Sequence, residues 1–219
     1  LLDVFQSIQK KNIPFLLVLT GLPTLFPKLV ESRTFSERMF RVVLLKRLSE
    51  KDSKDAILKP IQSTQCPIKL SDESVNLIVK HSGGYPYFIQ FICRETYDVF
   101  LSKIALGETP SVPVPEITRK LDTDFFTGRW ARATDRQREL LFIIAKLPNC
   151  EDEFSVQEVV EKSKETMPHP FSPSHVNQML SSLSDNGLVY KNRHGKYSLA
   201  VPLLSQFILR QHEQPGSVL

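Results

Sequence analysis

The sequence predicts an α/β segment, then a mostly helical segment, then a C-terminal winged helix. Residues 14–20 form an apolar run with no alternation of polar and apolar positions, and residues 40–45 are predicted to form a second strand. Such runs are typical of strands buried on both faces of a parallel sheet. After residue 49 the apolar residues follow helical spacing behind Ser or Thr caps. Residues 132–212 show three helical patterns and then two short runs around a turn, which is the order of a winged helix.

The N-terminal segment alternates between helical and strand patterns. Leu1, Phe5 and Ile8 lie at helical spacing, which predicts the end of an amphipathic helix. The first apolar run follows, then a short helix or irregular turn over residues 22–32, then the second apolar run. Helix, strand, helix, strand is the order of a doubly wound sheet. We therefore predict that residues 1–48 form the C-terminal part of an α/β domain.

The middle of the chain is predicted to be helical. Ser49 and Ser71 are good N-caps, and Pro86 is suited to the first turn of a longer helix because its missing N–H would be unpaired there anyway. Residues 107–115 contain three prolines and are the clearest linker. We predict a helical region over residues 49–110 and a linker with a connecting helix over residues 111–131.

The C-terminal part begins each helix with a clear cap. Thr134, Ser155 and Ser172 precede the three helical patterns, and Gly187 is placed to end the third. Two strands are predicted around residues 192–195, and a closing helix over residues 202–211. These elements predict a winged-helix domain over residues 132–212 with a tail over residues 213–219.

Composition limits the classes of function. No apolar run approaches the ~18 residues that a membrane span needs, and residues 1–3 do not resemble a signal peptide. Three cysteines without C-x-x-C spacing predict free thiols, a cytoplasmic protein and no metal site. The chain lacks an initiator Met and begins within a helical pattern, so we expect a fragment of a longer protein.

Two motifs carry the functional prediction. Thr20 is followed by Gly-Leu-Pro directly after the first apolar run, and residues 82–92 read SGGYPYFIQFI before a long helix. The segment LLVLTGLPTL, which includes Thr20, resembles the sensor-1 strand of an AAA+/STAND-type P-loop ATPase. The segment ESRTFSERMFRVVLLKRLSEKD is similar to the arginine-bearing turn of that family, with the next core strand and the first lid helix. The segment SGGYPYFIQFI resembles the start of a later lid helix. The chain is most similar to the C-terminal half of the archaeal ATPase group and the related origin-recognition proteins.

The resemblance implies a nucleotide contact at Thr20, Gly84, Tyr85 and Pro86. The Thr20 hydroxyl would orient a water near the γ-phosphate; alternatively it bonds its own loop. Pro86, with Tyr85 beside it, would pack on the adenine ring. The competing interpretation of the Gly-Gly-Tyr-Pro turn is a plain helix start.

The resemblance also implies that Arg33 or Arg38 acts as an arginine finger. A guanidinium fork suits the terminal phosphate bound by a neighbouring subunit. The alternative is a surface salt bridge, for which Glu31 and Glu37 are the nearest acidic residues in sequence.

The sequence departs from the ATPase pattern in one decisive respect. It contains no G-x-x-x-x-G-K-[ST] loop, and its one Gly-Lys pair, Gly195-Lys196, is followed by Tyr197. No apolar run ends in the Asp-Glu pair that would hold Mg²⁺. ATP and Mg²⁺ are therefore expected only in the intact parent protein, and we predict that this chain alone does not hydrolyse ATP.

The winged helix raises the question of DNA binding. Its presumed recognition helix, residues 172–186, has no Lys or Arg, whereas the hairpin carries Lys191, Arg193, His194 and Lys196. Phosphate contacts dominate DNA affinity, so the hairpin is the candidate. Residues 132–219 hold ten basic and ten acidic residues, so we expect weak binding. A protein partner or self-association is the alternative.

The sequence thus predicts the nucleotide-sensing lid and output portion of an ATP-binding protein, which couples the nucleotide state to contacts with DNA or a protein. The alternative is a stand-alone winged-helix module that binds DNA or a protein. A complete enzyme is not supported, because no Ser-His-Asp grouping, metal cluster or catalytic carboxylate pair can be identified.

Overall fold

A computed structural model describes residues 1–21, 25–43, 45–64, 66–193 and 195–213. The described chain is mostly helical and contains a small antiparallel sheet. In chain order its elements are α1 (Leu2–Lys10), α2 (Leu25–Ser32), α3 (Ser36–Met39), α4 (Glu50–Ser63), α5 (Asp72–Ser82), α6 (Pro86–Ala105), α7 (Val114–Leu121), a π-helical turn (Asp122–Phe126), α8 (Thr127–Trp130), α9 (Asp135–Ala145), β1 (Phe154–Ser155), α10 (Val156–Thr166), α11 (Pro173–Asp185), β2 (Val189–Arg193), β3 (Lys196–Leu199) and α12 (Leu204–Glu213).

The chain divides into two compact units. The first comprises residues 1–45 and 149–200, and the second comprises residues 46–148 and 201–219. The first unit therefore contains α1 to α3 and the sheet with α10 and α11. The second unit contains α4 to α9 and α12.

The predicted N-caps are confirmed. Each cap hydroxyl accepts a hydrogen bond from the backbone N–H three residues later, which satisfies one of the donors that a first helical turn leaves unpaired. Two of the caps are full capping boxes, because the side chains of Gln137 and Glu158 also accept from the cap backbone N–H. The caps are Ser49, Ser71, Thr134, Ser155 and Ser172.

The two buried strands predicted near the N-terminus are not formed. Residues 13–21 and 40–43 have no regular secondary structure. The side chains of Phe15, Leu16 and Val18 are 56%, 85% and 68% exposed, and Leu45 is 89% exposed. An apolar strand needs paired neighbours and covering helices to become buried. The described residues provide no strand that pairs with either run.

The observed sheet has three strands in the order β1-β3-β2, and all its pairs are antiparallel. The hairpin β2–β3 confirms the prediction, with a register irregularity between Lys191 and Arg193. Strand β1 was not predicted, because a pair of residues is too short to show alternation. Phe154 pairs with Tyr197 in it.

The second unit is built around α4, α5 and α6. Aliphatic side chains from these helices and α7 form one buried cluster: Ile57, Val75, Ile78, Ile89, Ile92 and Ile117. The predicted connecting helix is present as α7 and α8, which the π-helical turn joins. None of the helices in the described ranges is both long and apolar enough to cross a bilayer.

Candidate functional site

The strongest candidate site is the turn that joins α5 to α6 in the second unit. Helix α5 ends at Gly83, with φ of +59°, and Gly84 follows with φ of +74°. The backbone N–H of Leu48 donates to the Gly84 carbonyl at 2.8 Å. A Cβ atom on Gly84 would lie 2.6 Å from the Leu48 carbonyl oxygen. Only glycine tolerates both the positive φ and the close approach of the Leu48 carbonyl oxygen. The turn is therefore fixed against the chain segment that leads into α4.

The residues after this turn face solvent. Tyr85 is the N-cap of α6, with extended backbone, and Pro86 is the first helical residue. Tyr85 is 37% exposed and Tyr87 is 51% exposed, and Pro86 is also exposed. Gly84 itself is buried. It therefore shapes the turn, while Tyr85 and Pro86 provide the apolar surface.

An aromatic cluster supports this surface from below. Phe88 is fully buried, and its ring lies 5.9 Å from Tyr85 and 5.5 Å from Tyr87. Phe88 also contacts the rings of Phe125 and Phe126 at 5.2 and 6.2 Å. Tilted and edge-on aromatic pairs at these separations are favourable. The two exposed tyrosines are thus held by buried side chains of the same unit.

Thr20 is exposed and lies in the first unit, at the end of residues 13–20. No strand precedes it, so the expected position at a sheet edge is not formed. Leu22 and Pro23, which complete the predicted motif, lie outside the described residues. Gly84, Tyr85 and Pro86 are brought together by one turn, whereas Thr20 belongs to the other unit.

The two arginine-finger candidates differ in their contacts. Arg33 makes a bidentate ion pair, with Nε and Nη2 donating to the Asp3 carboxylate at 3.1 and 3.0 Å. The hydrogen bond from Arg33 lowers the pKa of Asp3. The salt-bridge partner is therefore Asp3 and not Glu31. Arg38 is exposed on α3 and makes no ion pair with a described residue.

Of the four hairpin residues predicted to contact DNA, the structure describes the side chains of Lys191 and Lys196. Lys191 is exposed on β2. Lys196 lies 3.5 Å from the Glu158 carboxylate, so its charge is partly neutralised. His194 lies outside the described residues, as does the side chain of Arg193.

The residues of the turn fit part of a bound ATP. Tyr85 and Pro86 offer exposed apolar surface of the kind that packs on a base. Gly84 does not offer a phosphate cradle, because its peptide is held against Leu48. No group of three or more potential metal ligands occurs in the described part of the chain. The exposed surface of Tyr85 and Pro86 would suit an adenine ring, whereas Gly84 offers no cradle for a phosphate.

His81 lies just before the turn and is only partly exposed. Burial lowers its pKa, and the nearby positive charges of Lys80 and Arg210 lower it further. The imidazole also lines a small apolar cavity with Ile92 and Ile117. The folded unit therefore favours the neutral imidazole.

This pKa shift predicts a pH dependence of stability. Near pH 7.5 His81 is neutral in both the folded and the unfolded state, so its ionisation does not affect the free energy of unfolding. Below its ordinary pKa of 6.5 the unfolded chain binds the proton more readily, so stability falls as the pH approaches 5. In His81→Gln this contribution should disappear. Urea unfolding of both proteins at pH 7.5 and 5.0 measures the change in the free energy of unfolding with pH. In Lys80→Gln this change should be smaller than in the unmodified protein but should not disappear. An equal change in all three proteins would contradict the prediction.

A polar cleft next to Gly84 was not indicated by any motif. It lies between α4 and α5 and is lined by Glu50, Ser53, Lys54, Asn76 and Lys80 among others. Within each helix, the residues that line the cleft lie three or four positions apart, so they are on the same face of the helix. Such spacing is common on helix surfaces, and sequence reasoning therefore had no specific signal for this cleft.

A family model described as a domain of unknown function (DUF8462) matches residues 123–208. No match was found among curated proteins. The matched segment begins in the π-helical turn and ends in α12, and these two ends meet in the second unit. The rings of Phe126 and Phe207 stack there at 5.1 Å.

Proposed function

We propose that this chain is the nucleotide-sensing lid and output portion of an AAA+/STAND-like ATP-binding protein. The observation that supports it best is the start of α6. A glycine turn fixed against Leu48 places Tyr85 and Pro86 at the solvent-exposed beginning of a long helix. This is the position at which the family resemblance implies a contact with adenine.

In this proposal the chain binds only one end of the nucleotide. The β- and γ-phosphates and Mg²⁺ are held by a P-loop and acidic residues that this sequence does not contain. Tyr85 and Pro86 pack on the base, and the Phe88 ring supports Tyr85. Thr20 and Arg38 remain candidates for contacts with the γ-phosphate, on this subunit and a neighbouring one.

Residues 1–48 would complete an α/β domain. Residues 15–20 and 40–45 are mostly apolar, and their described side chains are largely exposed. Apolar surface of this kind becomes favourable when it is covered by neighbouring strands and helices. Their exposure supports the proposal that they are strands of a larger nucleotide-binding sheet.

Residues 132–212 would form the winged-helix output domain. The order α9, α10, α11, hairpin along the chain supports this assignment, but α10, α11 and the hairpin belong to the first compact unit, whereas α9 and α12 belong to the second. The ion pair between Lys196 and Glu158 favours a protein partner over DNA, as does the equal number of basic and acidic residues over residues 132–219. A change in the lid would alter the contacts of this domain with that partner.

The adenine contact can be tested with adenosine, which lacks phosphates. Adenosine should shift the backbone NMR signals around residues 84–88. Tyr85→Ala should weaken binding by about tenfold, because stacking of a base on an aromatic ring is worth ~1–3 kcal/mol. Pro86→Ala should weaken it by less, because proline offers only aliphatic contact with the base. Both variants should remain folded, since alanine is tolerated in a first helical turn.

Tyr97→Ala is the matched control. Tyr97 is also an exposed tyrosine on α6, at 40%, but it lies three turns from the helix start. Adenosine affinity should be unchanged in this variant. If folded Pro86→Ala and Tyr85→Ala bind adenosine as well as the unmodified chain, the motif is only a helix start and the proposed function is wrong.

A further inference from the structure

The π-helical turn (Asp122–Phe126) interrupts what would otherwise be one helix through α7 and α8. A π-turn is rare within an α-helix and is found frequently at functional sites. Its closing hydrogen bond runs from the Thr127 N–H to the Asp122 carbonyl, five residues back. The Thr127 hydroxyl donates to the same carbonyl at 2.9 Å. The wide turn is therefore held by a side chain as well as by the backbone.

The turn contacts the aromatic side chains at the start of α6. The ring of Phe125 lies 5.3 Å from the Tyr87 ring and 5.2 Å from the Phe88 ring. Phe126, the next residue, is fully buried and lies 6.2 Å from Phe88. Phe88 in turn contacts Tyr85. The support of both exposed tyrosines therefore depends on the position of the two phenylalanines in the turn.

The same turn holds α12 at both of its ends. At the C-terminal end the ring of Phe207 stacks on Phe126 at 5.1 Å, and both side chains are fully buried. At the N-terminal end Arg210 Nε and Nη2 donate to the Asp122 carboxylate at 2.9 and 2.5 Å. Both partners of this ion pair are partly buried, so salt screens it less than a surface pair. The contacts of α12 therefore depend on the relative orientation of the two ends of the turn.

Conversion of the turn to α-helix would break these contacts. Successive residues of an α-helix lie about 100° apart around its axis. If the turn lost its extra residue, its two ends would rotate relative to each other by about that angle. Asp122 is fixed to α7, whose Ile117 and Leu121 are buried, so Phe125 and Phe126 would leave their present partners. The π-helical register is thus the one in which the tyrosines and α12 are both held.

We propose that the π-helical turn is a conformational switch that couples the tyrosine surface at the start of α6 to α12. A ligand shifts an equilibrium only if it binds one state better than the other. A base stacked on Tyr85 favours the π-helical register, because that register supports the tyrosine from below. A contact that displaces α12 favours the α-helical register for the same reason. Both sites therefore act on one two-state element, which is what coupling between them requires.

Two substitutions test the switch without a ligand. Arg210→Gln removes the ion pair on the α12 side, and Thr127→Val removes the hydroxyl that holds the turn. Each should shift the NMR signals of the backbone amides of residues 85–88. Thr127→Ser keeps the hydroxyl and should leave these signals unchanged. Lys120→Gln is the control for the ion pair, because Lys120 pairs with Glu95 at 2.7 Å outside the turn.

Thr127→Val is the more specific of the two changes, because the charge of Arg210 also acts on His81, which precedes the α5–α6 turn. Loss of an ordinary hydrogen bond should shift the equilibrium between the two registers about fivefold. The amides of residues 204–210 should therefore shift together with those of residues 85–88. Unchanged signals at residues 85–88 in both variants, or equal shifts there in Lys120→Gln, would overturn the proposal.

A titration with adenosine connects the switch to the proposed function, on which this part of the test rests. Adenosine that binds should shift the amides of residues 204–210 as well as those of residues 84–88. Thr127→Val should weaken binding by up to about fivefold, whereas Thr127→Ser should not. Adenosine that binds without any change in α12 would overturn the coupling and leave the adenine contact intact. If adenosine does not bind but the substitutions move both regions, the proposed function is wrong and the coupling stands.

Discussion

Gly84→Val is expected to destabilise the second unit by about 2–5 kcal/mol. A residue with a Cβ atom at a φ of +74° costs about 1–2 kcal/mol, and the overlap with the Leu48 carbonyl adds about 1–3 kcal/mol. The Leu48–Gly84 hydrogen bond would also be strained. Trp130 is the one tryptophan of the chain and lies in this unit, so its fluorescence during urea unfolding measures the effect.

Gly107→Val is the matched control for this change. Gly107 has nearly the same φ, +75°, but no atom lies within 4 Å of its added Cβ. Only the backbone cost of about 1–2 kcal/mol applies there. If Gly84→Val and Gly107→Val lose equal stability, the close contact with Leu48 does not constrain the turn. The second role of Gly84, to position Tyr85 and Pro86, would then also be unsupported.

The helix starts could be predicted because their causes are local. A Ser or Thr side chain caps the N–H three residues on, and this geometry needs no other part of the chain. Ser49, Thr134 and Ser172 therefore begin helices where the sequence indicates. Pro86 is equally local, since its ring presets the first helical turn.

The strands could not be predicted in the same way. Residues 15–20 have the composition of a buried strand, but burial depends on partners elsewhere in the chain. Phe154 forms a strand with Tyr197 although β1 is too short to show a pattern. In both cases the deciding contacts are distant in sequence.

The candidate sites also differ in whether their residues are close together or distant in the sequence. Tyr85 and Pro86 were predicted from a contiguous motif, and the structure places them together at one exposed turn. The cleft between α4 and α5 is lined by residues of different helices, among them Ser53 and Lys80. The lack of a hydrogen-bond partner for Ser53 is visible only after the chain is folded. The bond of Arg33 to Asp3, thirty positions away, was hidden for the same reason.

Phe88→Ala is expected to destabilise the second unit by about 3–5 kcal/mol. The ring is fully buried and contacts Tyr85, Tyr87, Phe125 and Phe126. Truncation of a buried phenylalanine loses its transfer free energy and leaves a cavity that the rigid neighbours cannot fill completely. Urea unfolding monitored by Trp130 fluorescence measures the loss.

Tyr97→Ala and Phe88→Leu serve as controls for different parts of this argument. Tyr97 is on the same helix but 40% exposed, so its truncation should cost less than about 1 kcal/mol. Phe88→Leu keeps most of the buried volume and should cost about 1.5 kcal/mol or less. It nevertheless removes the aromatic contacts that hold Tyr85 and Tyr87. Adenosine affinity should therefore fall in Phe88→Leu, even though this variant loses little stability. An unchanged affinity in this variant would show that the exposed tyrosines keep their positions without the Phe88 ring.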